Sequence, residues 1–71
     1  MWVFSENAQE KSSAMGVGSA EIEKAIENPD WVYISTVYSG ANVAVSERLA
    51  VVYDPTNLIV LSLSWRDRPK R

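Results

Sequence analysis

The sequence predicts an α+β domain, with two N-terminal helices packed on one face of a three- to four-stranded antiparallel sheet. Three observations carry this. Capped, helix-forming segments are confined to the stretch before Pro29, β-branched and aromatic residues dominate from Trp31 onward, and residues 49–65 are two apolar runs about a turn. Helices followed by a run of strands is the α+β pattern, and strands joined by short turns pair antiparallel with their neighbours.

In chain order, Trp2-Val3-Phe4 is a short extended segment, long enough for an edge strand or for laying two rings on the core. Ser5 suits a helix N-cap, Glu6 puts a carboxylate in the first turn where the macrodipole favours it, and Gly16 is placed to end the helix in the left-handed conformation. Helix one therefore covers residues 6–15. Its apolar stripe is thin (Ala8, the stem of Lys11, Ala14, Met15), so packing must hold it where propensity does not. Gly16-Val17-Gly18 reads as a hinge, with Ser19 as the second cap. Ala20, Ile22, Ala25 and Ile26 then recur at helical spacing until Pro29, which lacks a donor and drives Asn28 out of the helical region. Helix two ends near Glu27, and Glu21, Glu23, Lys24 and Glu27 form its solvated outer face.

Residues 31–38, rich in β-branched and aromatic side chains, read as the first long strand. Residues 39–42 make a turn, 43–45 a short strand, and 46–48 a second turn or a bulge. In the closing hairpin the strands are residues 49–53 and 58–65. Between them Asp54 opens the turn, Pro55 pre-sets φ, and Asn57 is able to take the left-handed conformation. Alternation puts Ile59, Leu61, Leu63 and Trp65 on the core face, while on the other face Leu58 and Val60 give way to Ser62 and Ser64. Residues 1–65 thus form one domain, and 66–71 a basic C-terminal tail expected to fray.

A chain of 71 residues buries only roughly 60% of the surface it exposes when unfolded, so its stability should be modest. It has no cysteine to staple the core or bind a metal as thiolate, and no histidine, which makes transition-metal binding improbable. Neither a metal nor a cofactor is expected. With 46% hydrophobic and 23% charged residues the composition is globular, and no apolar run approaches a membrane span. The start lacks the basic region of a secretory signal, which makes a cytoplasmic domain the expectation. The net charge of −2 hides an asymmetry. Residues 6–30 carry a net of −4, residues 31–71 a net of +2, and the basic charge concentrates at the C-terminus.

Neither a Gly-rich phosphate loop nor a Ser/His/Asp set is present. What remains is basic and aromatic. Arg48, Arg66, Arg68, Lys70 and Arg71, with Tyr38, Tyr53 and Trp65 on the strands, offer phosphate neutralisation and base stacking. The ordinary alternative is a solubilising tail and aromatic residues used for packing.

Phe4-Ser5, Ala8 and Lys11, then Gly16-Val17, Ser19, Ile22, Ala25-Ile26, Asn28-Pro29 and Tyr33, then Leu49-Ala50-Val51-Val52-Tyr53 carry a resemblance over nearly the whole chain. The pattern is similar to small bacterial and phage relatives of the RelE and BrnT toxins, in which a helical pair precedes an antiparallel sheet. Where that family's first helix carries His-Ala and, three residues on, Arg, this chain has Asn7-Ala8 and Lys11, and Gly18 is an extra residue between Val17 and Ser19. Lys11 keeps the charge without bidentate geometry, and Asn7 keeps hydrogen bonding without a proton to exchange near neutral pH.

Two functions are open: the first rests on the chain's departures from that pattern, its missing His and net acidic surface, and the second on what the resemblance implies. The first is a degenerate, non-catalytic interaction or regulatory module of a toxin–antitoxin system, whose partner is an antitoxin, a host protein or a second copy of itself. The second is an RNA-directed, mRNA interferase-type ribonuclease working on RNA or the ribosome, with Lys11, Arg48 and Arg66 around the phosphate and Tyr53 stacking or acting as acid. In that case Arg66, Arg68, Lys70 and Arg71 would bind the nucleic acid.

Overall fold

The computed structural model describes residues 2–66. Strand β1 (Val3–Phe4) leads into helices α1 (Glu6–Met15) and α2 (Ser19–Glu27), followed by β2 (Trp31–Ile34), β3 (Asn42–Val45), β4 (Leu49–Asp54) and β5 (Ile59–Trp65). The α+β class and the helix–helix–sheet order are as the sequence predicts. The sheet is larger and not purely antiparallel: it has five strands in the order β1-β5-β4-β3-β2, with β1 parallel to β5.

Parity explains the mixed sheet. The two helices run up and back, so β2 starts at the end of the sheet where β1 finished and runs opposite to it. Three antiparallel turns later β5 again runs with β1. Because β1 docks beside β5, that one pairing must be parallel, with Val3 opposite Ile59 and Phe4 opposite Val60. The Val3 N–H bonds the Leu58 carbonyl and the Ser5 N–H the Val60 carbonyl, each at 2.9 Å.

Both helices lie on one face, α1 over β5 and β1, α2 over β4 and β3. Beneath them Ala8, Val17, Ile22, Ala25, Ile26, Ala44, Leu49, Val51, Tyr53, Val60 and Leu63 form the core, with Trp2, Phe4 and Met15 packed at its margin. Ser5 caps α1 by accepting the Ala8 N–H. At the other end Gly16 sits at φ 70°, its N–H bonding Ser13 and the Val17 N–H bonding Ser12, so two otherwise orphaned carbonyls are satisfied. Ser19 is not the second cap. Gly18 holds that position and Ser19 is the first helical residue, so α2 starts without a side-chain acceptor.

Three strand expectations need correction. The strand foreseen over residues 31–38 stops at Ile34, because the Ser35 hydroxyl accepts the N–H groups of Val37 and Tyr38 and folds the chain away. In the hairpin turn the left-handed residue is Leu58, at φ 58°, not Asn57. Asn57 is engaged otherwise: its N–H and side-chain amide, with the Thr56 N–H, all donate to the Asp54 carboxylate. Finally, Ile59, Leu61, Leu63 and Trp65 do not share a face. Val52 pairs with Ser62 and Tyr53 with Val60, which leaves Leu61 as an extra residue in β5. That bulge turns Val60 and Leu63 toward the helices and Ile59, opposite Asp54, to the other side.

Candidate functional site

The bulge positions the start of α1. Its Leu61 carbonyl accepts a hydrogen bond from the Ser5 hydroxyl at 2.9 Å and a longer one from the Asn7 side-chain amide at 3.4 Å. One turn on, Lys11 is exposed and lines, with Asn7, Glu10, Ala14, Met15, Leu63, Ser64 and Trp65, an open groove of about 470 Å³ between α1 and the end of β5. Trp65 is half exposed. It pairs with Leu49 across the sheet and so faces the helices.

Arg48 lies over this indole, its guanidinium carbon 5.2 Å from the ring centroid. It also donates Nε and Nη2 to the two oxygens of Glu21 on α2, at 2.7 and 2.8 Å. The hydrogen bond from Arg48, helped by its charge and opposed by partial desolvation, lowers the Glu21 pKa below its ordinary value, and the same bond pushes that of Arg48 up. This is a bidentate pair with a ring beneath it, a geometry only Arg supplies.

Arg66 repeats the arrangement elsewhere. Its guanidinium donates to Asp30 at 2.8 Å and to the Ser46 carbonyl at 3.2 Å, and lies 4.5 Å from the Trp31 ring centroid. Its backbone N–H bonds the Arg48 carbonyl at 2.9 Å, continuing the hairpin ladder.

Of the residues expected to act together, Lys11 shares a groove with Trp65 and Arg48 lies over the same indole, while the others lie elsewhere. Arg66 serves a different surface, on β2. Tyr53 is not available for stacking or acid work: it is only 8% exposed, its ring edge-on to Trp2 at 5.5 Å, as part of the core. Arg68, Lys70 and Arg71 lie outside the described residues. Asn7 and Lys11 do share the groove. Sequence reasoning missed Glu21, Asp30 and Trp31. The opposed charges of the two halves of the chain were a signal that such pairs exist, without saying which carboxylate meets which cation. Among the described residues no group of His, Cys, Asp or Glu is arranged to hold a metal. No helix there is long and apolar enough to cross a membrane.

No protein-family model matches this sequence, and comparison with curated proteins and with solved structures finds no match either.

Proposed function

We propose that this is a non-catalytic interaction module, a degenerate RelE-like domain that works in the cytoplasm by binding another protein such as an antitoxin or a host factor. The observation that carries the reading is the state of its arginines. A phosphorane needs cations directed at the oxygens where charge develops. Here Arg48 and Arg66 each donate to a carboxylate and rest on a tryptophan, so their charge is spent within the fold. Tyr53 is in the core, and Asn7, bonded to the bulge, has no proton to exchange. The groove beside Trp65 supplies an apolar floor with a polar rim of Asn7, Glu10 and Lys11, which suits a peptide segment.

One observation favours the ribonuclease alternative: Lys11 lines a groove with an exposed indole over which Arg48 lies, and an indole is a platform for base stacking. The two readings part on a single assay. End-labelled messenger RNA is incubated with the purified protein, with and without translating ribosomes, and resolved on a sequencing gel. The interaction module leaves the RNA intact in both conditions. Discrete cuts that vanish in Lys11→Ala would replace it with the ribonuclease.

A further inference from the structure

The last strand of the sheet is unusual in what it leaves bare. All four residues of β2 are exposed, Trp31 at 49%, Val32 at 43%, Tyr33 at 50% and Ile34 at 76%, and β3 is its only strand neighbour among the described residues. Sheet edges are ordinarily guarded by charged side chains or proline. Here neither occurs from Trp31 through Ser46.

The register says which backbone groups face outward. Tyr33 stands opposite Val43, and in the same register the Ser35 N–H bonds the Ala41 carbonyl at 2.9 Å. Bonding alternates along an antiparallel strand, so Trp31, Tyr33 and Ser35 turn their N–H and C=O to β3, and Val32 and Ile34 turn theirs outward.

We propose that this edge is a homodimer interface, in which β2 pairs antiparallel with β2 of a second copy about a two-fold axis at Tyr33. The outward residues are symmetric about Tyr33, so Val32 of each copy meets Ile34 of the other and exchanges both backbone bonds with it. Tyr33 faces its own counterpart in the close, non-hydrogen-bonded position, where an aromatic cross-strand pair is favourable. On the helix side Val32 packs on Ile34; on the other side Trp31 meets Ser35. Among the described residues the charges nearest this edge are Asp30 and Arg66, the latter over the Trp31 ring, and they are paired with each other. Residues 31–34 carry no charge, so the strand finds in its own copy a matching edge. Such self-complementarity is what an isologous interface requires and what an arbitrary peptide lacks. Each copy brings to the pairing the exposed side chains of Trp31, Val32, Tyr33 and Ile34, which a second copy would cover. This surface is separate from the groove beside Trp65, so the inference stands whether or not the groove binds a protein or RNA.

Sedimentation equilibrium of the intact chain tests it. The expected mass is about twice 7.9 kDa, and Ile34→Lys is expected to return the monomer mass with an unchanged far-UV circular dichroism spectrum, because that side chain already stands in solvent. Register is read by cross-linking, since the chain has no cysteine of its own. Under mild oxidation Tyr33→Cys forms a covalent dimer at least about tenfold faster than Val32→Cys, whose sulfur meets its own counterpart only across the diagonal, beyond disulfide reach. A monomer at every concentration, a dimer that Ile34→Lys leaves intact, or equal cross-linking of the two cysteine variants would overturn the proposal.

Discussion

Ser5 is hydrogen-bonded in two directions at once, accepting the Ala8 N–H at 3.1 Å and donating to the Leu61 carbonyl at 2.9 Å. One hydroxyl thereby starts α1 and fastens it to the bulge of β5. Ser5→Ala leaves the cap unmet and the bulge carbonyl with only the longer bond from Asn7. The expected loss is about 1–2 kcal/mol of unfolding free energy, read as a lower urea midpoint with an unchanged slope. Ser5→Thr should recover most of it, because Thr offers the same oxygen in both directions. Other residues carry chemistry that their type alone does not reveal. Asn57, the evident candidate for the left-handed position of the hairpin turn, spends both its nitrogens on Asp54, and the positive φ passes to Leu58, whose branched side chain is a poor fit for it.

At the scale of elements, the helix limits were legible because end signals are local: a serine before a carboxylate, a glycine in the left-handed region, a proline after the last turn. The second cap was not, since Gly18 and Ser19 both qualify and only the backbone decides. That leaves an opening for stabilisation. Gly18 sits at φ −82° and ψ 159°, open to any residue, and a Cβ there would meet nothing within 4 Å. Gly18→Asp supplies the missing acceptor, places a charge at the positive end of α2 and stiffens the unfolded chain. The expected gain is about 1 kcal/mol, or roughly 4–8 °C in thermal midpoint. Gly16→Asp should act with the opposite sign, because φ there is 70°. The strands were legible as strands but not as a sheet. Leu61 is as apolar as its neighbours, so alternation could not announce that it is the extra residue, and every side-chain direction before it was read inverted. β-propensity likewise ran past Ile34, where a serine hydroxyl three residues short of Tyr38 turns the chain.

Across the whole molecule, the charge asymmetry of the sequence becomes two ties between distant segments. Glu21 on α2 holds Arg48 just before β4, and Asp30 just before β2 holds Arg66 just after β5. The cations of the candidate site were legible by type. Their neutralisation was not, because it depends on which helix face lies over which strand end. The Glu21–Arg48 tie and the Asp54 turn bear on the response to acid. Glu21, ordinarily near 4.5, is lowered first by the hydrogen bond from Arg48, and Asp54, ordinarily near 3.8, is lowered first by the Asn57 amide and then by two backbone N–H groups. A carboxyl whose folded pKa lies below its unfolded one contributes stability that is present above the unfolded value and is lost as pH falls through the folded value. The loss therefore begins near pH 4.5 and continues below it. The chain has no histidine, so no side chain with an ordinary pKa near neutrality titrates between about pH 6 and 8. Thermal melts should give a midpoint flat across that interval and falling on acidification below it. Both carboxyls are exposed and screened by solvent, so each contribution is small and that of Glu21 should shrink further with added salt. Glu21→Gln should lower the neutral plateau slightly and make the acid limb shallower, since the proton that breaks the Arg48 tie in the parent has nothing left to break. A midpoint that rises on acidification would mean that carboxylate repulsion among the acidic helices outweighs the Glu21 and Asp54 contributions, and that the charge asymmetry strains the fold more than it fastens it.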